Sequence, residues 1–239
     1  MATGDTEPRG RDRRTLSREA IIATAIAVID ERGLDGLTMR NLGRALAVDP
    51  MTVYGYFEDK AALFDAIVDH EAARLHAVPE PLPTEPMEIM VHVALHHRRV
   101  LLEHPNLAPL VASRPLPKGN WAEVVRVAFD LCRAAGVADE DIPQVTNTIT
   151  RFSMGFIVQE AGEVRYRERM GERPEAYRTR LLSTDCAPAD APELGVRTFT
   201  HRFDPTEAAQ DFELGIRALL RGLGVSATGT WPRDPDTAA

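Results

Sequence analysis

The chain has 239 residues and a formal net charge of -8, with 44% hydrophobic and 27% charged residues. This length allows one large domain or two modest domains with a full hydrophobic core. No apolar run approaches the roughly 20 residues that a membrane span needs, and the polar N-terminus lacks the apolar segment of a secretion signal. The two cysteines, Cys132 and Cys186, form no disulfide or metal-binding pattern. We therefore expect a cytoplasmic protein without a metal or a cofactor.

The net charge is unevenly distributed along the chain. Residues 1–57 contain eight arginines and eight acidic residues, so the whole negative charge falls in residues 58–239. Nucleic-acid binding needs basic side chains opposite phosphate groups. Only in the N-terminal part are the basic residues not outnumbered by acidic residues. The asymmetry indicates different partners for the two parts of the chain.

Patterns in the N-terminal part predict an arm followed by short capped helices. Residues 1–14, with four arginines among Gly, Pro and Asp, are predicted to be a disordered basic arm. A first helix begins after the N-cap Ser17 and carries isoleucines at helical spacing. Gly33 then stands where a glycine typically ends a helix. Thr38 is the predicted N-cap of a second helix.

A third and a fourth helix follow closely. Asp49 as N-cap and Pro50 as first helical residue open the third helix, which ends near Phe57. Val53 and Phe57 are assigned to the hydrophobic core. Asp59 is the predicted N-cap of the fourth helix, which carries apolar residues at helical spacing on its buried side.

Helical patterns continue after a proline-rich linker at residues 79–86. Residues 164–188, crowded with Arg and Glu, are predicted to be a mobile connection, and residues 224–239 a disordered tail. No strand pattern is found, so the predicted class is all-α. The further helices are predicted at about residues 86–103, 119–135, 139–162, 190–202 and 205–222.

Residues 38–57 have the layout of a helix-turn-helix, whose second helix enters the DNA major groove. In this unit the hydroxyl groups can form hydrogen bonds with phosphates or base edges, and Met51 can contact a thymine methyl group. Arg40 can bind guanine through two hydrogen bonds. Lys60 suits a phosphate, whereas Tyr54 and Tyr56, each taken alone, are equally well explained as core residues. The candidate DNA-binding residues are Thr38, Arg40, Pro50, Met51, Thr52, Tyr54, Gly55, Tyr56 and Lys60.

Residues 17–70 as a whole resemble the DNA-binding domain of the TetR family of repressors. The resemblance is carried by residues 33–38 (GLDGLT), 46–48 (LAV) and 52–57 (TVYGYF), followed by Lys60. It implies an all-helical homodimer that binds a palindromic double-stranded DNA operator. It also implies that a small molecule bound in the C-terminal domain releases the DNA.

The C-terminal half resembles the tetracycline-binding branch of the same family. Residues 98–102 (RRVLL), 113–115 (SRP) and 212–223 (FELGIRALLRGL) carry this resemblance. The predicted architecture is an N-terminal three-helix helix-turn-helix domain at residues 15–60, joined by the fourth helix to a larger helical domain at 61–223. That larger domain is expected to bind the ligand and to dimerise as a four-helix bundle through the long helix and the last helix.

The resemblance places a mostly apolar ligand pocket among the fourth to eighth helices. Leu110 and Gln159 align with a histidine and a glutamate that help hold magnesium–tetracycline in the tetracycline-binding branch. Neither replacement is a good magnesium ligand, so we expect another effector, partly apolar. Arg114 either pairs with a ligand carboxylate or phenolate or caps a helix C-terminus. The positions implied for ligand binding are His76, Val93, His97, Leu110, Arg114, Pro115, Val124, Val127, Phe156 and Gln159.

Two alternatives to this interpretation come from the residues themselves. His92, His96 and His97 could suggest a metal site, but zinc needs more ligands and no Cys or acidic partner has the spacing for it. No glycine-rich phosphate loop, HExxH motif or GxSxG motif occurs, so we expect no enzyme. The alternative function is a helical module that binds a small molecule and has no role in DNA regulation.

Overall fold

The computed structural model describes residues 16–114, 119–171 and 204–225, together with single helical positions between residues 176 and 198. In these parts of the chain there are helices joined by turns and loops, and no strand, as predicted. No helix within them is both long and apolar enough to cross a membrane.

Three helices form the N-terminal part: α1 (Arg18–Gly36), α2 (Met39–Ala45) and α3 (Pro50–Tyr54). Their predicted N-caps are confirmed. The side-chain oxygens of Ser17, Thr38 and Asp49 accept hydrogen bonds of 2.8–3.1 Å from backbone N–H groups two or three residues later. The regular part of α1 breaks at Gly33, as predicted, because its φ of 73° suits glycine and few other residues.

The core of this part is built by the apolar side of each helix. Ile21, Leu42 and Val53 are fully buried, and Phe57 is 2% exposed. The assignment of Val53 and Phe57 to the core is therefore confirmed. Burying each of these side chains contributes roughly 1.5–3 kcal/mol to folding, which is what holds the short helices α2 and α3 in place.

The remaining described helices are α4 (Lys60–His76), α5 (Pro86–Glu103), α6 (Ala108–Ser113), α7 (Asn120–Ala134), α8 (Ile142–Met170) and α9 (Pro205–Gly222). Asp59 caps α4, as predicted, by accepting a hydrogen bond of 2.7 Å from the N–H of Ala62. Helix α4 packs against α1 at the N-terminal part and against α5, α6 and α7 beyond it. It is the structural link between the two parts of the chain.

Two helical segments differ from the prediction. The six-residue α6 was not predicted from periodicity, since it is short and begins without a side-chain cap. Helix α8 runs to Met170, so the prediction of a mobile connection is wrong for residues 164–170. The Glu and Arg residues that suggested a loop are strong helix formers, and the helix ends only at Gly171, where φ is 60°.

Several other predictions fall partly or wholly outside the described residues. The arm at 1–14 lies outside them, as does most of the helix predicted at 190–202, of which Leu194, Arg197 and Thr198 are helical. Of the predicted tail, Gly224 and Val225 are described. Val225 is buried and its N–H donates to the carbonyl oxygen of Leu220 at 3.0 Å, so the folded region reaches two residues further than predicted.

Candidate functional site

Helix α3 presents an exposed face that holds part of the predicted DNA-binding set. Met51 is 72% exposed and Tyr54 is 43% exposed, which is unusual for such large apolar side chains. Thr52 on the same helix and Arg40 on the neighbouring α2 are also exposed. Large apolar side chains left in water beside a hydroxyl and a guanidinium form a surface suited to contact with another molecule.

Gly55, also exposed, is the C-cap residue of α3, and the other four predicted DNA-binding residues already have roles within the protein. Thr38 is the N-cap of α2, and Pro50 begins α3. The Tyr56 hydroxyl donates to the carbonyl oxygen of Leu16 at 2.6 Å, which fastens the start of α1. Lys60 Nζ lies 3.5 Å from the carbonyl oxygen of Leu34 and 5.0 Å from the centre of the Phe64 ring.

A cavity of about 360 Å³ lies between α4, α5, α7 and α8. This volume falls within the range of small-molecule sites, roughly 300–1,000 Å³. The cavity brings together half of the positions that the family resemblance implied for the ligand. These are His76, Val93, His97, Val124 and Val127.

The cavity also has lining residues that the sequence gave no reason to choose. Trp121 and Cys132 line it from α7, and Asn147, Thr150 and Ser153 line it from α8. Burial raises the pKa of the Cys132 thiol to about 11, so this thiol is uncharged and unreactive at neutral pH. In the sequence, only the spacing of three to four residues between the polar side chains of α8 indicates that they share one face of the helix.

Four of the implied ligand positions do not line this cavity. Leu110 is buried in the core, and Gln159 is exposed on α8. Phe156 packs edge-on against Phe212 of α9, with 5.2 Å between ring centroids. Arg114 forms an ion pair with Asp65 of α4 and donates to the carbonyl oxygen of Ala61 at 3.2 Å. Pro115 lies outside the described residues.

The three histidines of α5 have separate environments. His96 is buried, with Nε2 3.0 Å from the carbonyl oxygen of Arg74 and Nδ1 2.9 Å from a guanidinium nitrogen of Arg99. Desolvation lowers the pKa of His97 to about 4, with a further contribution from His96 beside it. His92 lies 3.4 Å from the carbonyl oxygen of Pro79. In the described part of the chain no three His, Cys, Asp or Glu side chains are placed to hold a metal.

The carboxylate next to Gln159 is engaged elsewhere. Glu160 is 8% exposed, and its two carboxylate oxygens accept hydrogen bonds from Arg98 of α5, one of them 2.8 Å from Arg98 Nε. A paired carboxylate of this kind holds α5 and α8 together. It is not placed to serve the cavity as a metal ligand.

Polar contacts connect the N-terminal part to the helices around the cavity. Asp30 of α1 pairs with His104 at 2.7 Å, and its carbonyl oxygen accepts a hydrogen bond from the Asn106 side chain at 3.0 Å. In the last turn of α4, Arg74 pairs with buried Glu71 of the same helix at 2.9 Å and with Glu103 of α5.

Glu71 is the least solvated acidic group at this junction. It is 1% exposed, and its Oε1 has no hydrogen-bond partner among the residues that the structure describes. Desolvation raises its pKa, although the neighbouring Arg74 opposes the shift. Glu71 and Arg74 both lie on α4, so their pair is internal to this helix, and the contact that ties this end of α4 to α5 is the pair of Arg74 with Glu103.

Together, the exposed α3, the cavity and the helix that connects them define a helix-turn-helix regulator with a small-molecule site. The model of bacterial regulatory proteins of the tetR family matches residues 21–67, and the tetracyclin repressor-like C-terminal domain matches residues 82–226. The chain therefore belongs to the TetR family.

Characterised relatives extend over most of the chain. The tetracycline repressor protein class D of Escherichia coli is 26% identical over 215 residues, which are 89% of this chain and 91% of that protein. A possible TetR family regulator from Streptomyces coelicolor A3(2) has a TM-score of 0.71 and 26% identity over 87% of this chain and 98% of its own.

A third similar structure carries a small molecule. It is ActR of Streptomyces coelicolor in complex with actinorhodin, with a TM-score of 0.66 and 26% identity over 88% of this chain and 96% of its own. With its family and these relatives established, the protein is a ligand-responsive, DNA-binding transcriptional repressor and not an enzyme.

Proposed function

We propose that this protein represses transcription from a palindromic operator as a homodimer and leaves the DNA when a small molecule fills the cavity. The observation that carries the proposal is the position of α4. Its first residue, Lys60, contacts the carbonyl oxygen of Leu34 in α1, and its last residue, His76, lines the cavity. A change in cavity shape therefore acts on the N-terminal part through one rigid helix.

On the DNA side, α3 is the helix proposed to enter the major groove. Met51, Thr52 and Tyr54 contact base edges and phosphates, and Arg40 binds a guanine or a phosphate from α2. Gly55 lets the backbone approach the DNA closely. The main role proposed for the remaining residues is to hold the helices in position; these are Thr38, Pro50, Tyr56 and Lys60. Lys60 and the backbone N–H groups at the helix N-termini also lie close to phosphate groups. The boundaries proposed for this domain are residues 15–60.

On the effector side, the domain proposed for residues 61–223 binds the small molecule and dimerises. Two copies must hold their α3 helices about 34–36 Å apart to fit successive major grooves. The faces of α8 and α9 that pack on no other described helix are proposed as the dimer interface. Leu214 on α9, which is 67% exposed in the single chain, would be covered in such a dimer. We place the dimer in the cytoplasm, where its operator is found.

Release follows from a difference in affinity. An effector can shift the protein away from its DNA-binding state only as far as it prefers the other state. Occupancy at His76 and His97 acts on the last turn of α4 and on α5. The contacts of Asp30 with His104 and Asn106 then carry a shift of these helices to α1.

The test is a gel-shift titration of the dimer on the palindrome upstream of its own gene, at a stated salt concentration. Binding that is specific for the palindrome and weakens with salt supports the proposal. Ligand binding without affinity for any palindrome near the gene would contradict it and favour the alternative of a small-molecule-binding module.

A further inference from the structure

The walls of the cavity combine apolar side chains with uncharged polar groups. Val93, Val124 and Val127 supply apolar surface, while His97 and Asn147 supply hydrogen-bonding atoms. Among the described residues that line it, none is Asp, Glu, Lys or Arg. A ligand in this cavity meets hydrogen-bonding groups, two of them the imidazoles of His76 and His97, but no carboxylate, ammonium or guanidinium of the described residues.

The polar groups of α8 are available for a ligand. Thr146, Asn147, Thr150 and Ser153 lie at helical spacing and all line the cavity. The Thr146 hydroxyl is used, since it donates to the carbonyl oxygen of Ile142 at 2.8 Å. The side chains of Asn147 and Thr150 make no hydrogen bond within the part of the chain that the structure describes. They can donate to or accept from an edge of a bound molecule.

The neighbouring cations are engaged outside the cavity. Arg98 of α5 binds Glu160, and Arg114 binds Asp65. His97 does line the cavity, but the lowered pKa of about 4 keeps its ring neutral at physiological pH. The described lining therefore supplies no permanently charged partner for an anion and no carboxylate for a metal chelate.

We propose that the cavity selects an uncharged, largely apolar ring compound with hydroxyl or carbonyl groups at its edges, and rejects carboxylates and metal chelates. The proposal rests on the proposed role of the cavity as the effector site. A charged ligand would lose part of its hydration without gaining a permanently charged partner, whereas hydroxyl and carbonyl groups would find partners on α5 and α8.

The experiment compares matched ligands on the full-length dimer. In a Trp231→Phe background, Trp121 is the remaining one of two tryptophans, and it lines the cavity. Quenching of its fluorescence at neutral pH reports binding of a dihydroxyanthraquinone, of the same ring system carrying one carboxylate, and of tetracycline with Mg²⁺. We expect the uncharged compound to bind at least about 100-fold more tightly than the carboxylate, because the buried charge has no partner.

Two variants on α5 tie this preference to the cavity. His97→Phe keeps an aromatic ring but removes the ring nitrogens, and should weaken binding of the uncharged compound about tenfold. His92→Phe, outside the cavity lining, is the matched control and should leave binding unchanged.

The outcomes separate this proposal from the proposed function. Equal or tighter binding of the carboxylate or of the chelate, or no binding of the uncharged compound, overturns the selectivity. Operator binding is measured in parallel on the same protein. Selectivity without operator binding would contradict the repressor function and leave the ligand class standing, whereas operator binding with reversed selectivity would do the opposite.

Discussion

The proposed recognition helix α3 and the proposed effector cavity differ in how their side chains are presented to a partner. Met51 is 72% exposed on a helix of five residues, positioned by the cap of Asp49 and the buried Val53. The cavity lies between α4, α5, α7 and α8, and its lining comes from residues far apart in sequence. DNA contact thus depends on local structure, whereas effector contact depends on packing. Substitutions in one region should therefore leave the binding function of the other intact.

The largest expected effect is the loss of operator binding when α2 and α3 lose their exposed contacts. Arg40→Ala combined with Tyr54→Ala should weaken operator affinity at least about 100-fold, since each base or phosphate contact is worth roughly 1–3 kcal/mol. Quenching of Trp121 by the uncharged ligand should not change. Arg126→Ala, an exposed arginine on α7, is the control. If the double variant keeps its operator affinity, α3 is not the helix that contacts the operator.

The next effect concerns the packing around the cavity. Glu160→Gln removes the charge opposite Arg98 and leaves a guanidinium with 12% of its side chain exposed. We expect the free energy of unfolding to fall by about 3 kcal/mol, measured by urea denaturation at fixed dimer concentration. Gln159→Ala, an exposed neighbour, should change it by less than about 0.5 kcal/mol. An equal decrease in the free energy of unfolding for both variants would show that the α5–α8 ion pair does not stabilise the packing around the cavity.

A smaller effect appears as pH dependence. The pKa of His97 is about 4 in the folded protein against an ordinary value of 6.5, so below pH 6.5 the unfolded chain takes up a proton that the folded chain does not. Stability should be complete at neutral pH and fall as pH drops from 6.5 towards 4, by about 1–2 kcal/mol, because the ring keeps some contact with water. His97→Phe should flatten this part of the profile. An unchanged slope in that variant would show that His97 is not buried in its neutral form.

The smallest effect on stability is expected at the junction between the two regions. Asp30→Ala removes the carboxylate that pairs with His104, and exposed pairs of this kind contribute no more than about 1 kcal/mol. Its consequence for function should be clearer, since the variant should need more effector to release the operator. Glu31→Ala, whose side chain pairs with Arg32 on the same helix, is the matched control. Identical release curves for both variants would exclude this contact from the coupling.

The local features of the N-terminal part could be predicted because they depend on neighbours in sequence. Ser17, Thr38, Asp49 and Asp59 each cap the helix that follows them, and Gly33 breaks α1 where the pattern indicated. Helix α6 has no such cap, and the charge pattern at the end of α8 predicts a loop although Glu and Arg favour helices.

The lining of the cavity could be predicted only in part. The family resemblance implied His76, Val93, His97, Val124 and Val127, which line the cavity. Arg114 was expected either to bind a ligand or to cap a helix C-terminus. It is the C-cap residue of α6, where its backbone N–H donates to the carbonyl oxygen of Val111, and its side chain pairs with Asp65. Trp121 and the polar residues of α8 were missed, since which side of a long helix faces a cavity is decided by its packing partners and not by its own sequence.

The central claim is that filling the cavity lowers operator affinity. One titration tests it directly: the dihydroxyanthraquinone is added to the protein bound to a fluorescently labelled operator, and Trp121 quenching and DNA anisotropy are recorded on the same sample. We expect the release of DNA to follow the quenching of Trp121 over one concentration range. Complete quenching with the operator still bound at its original affinity would contradict the account.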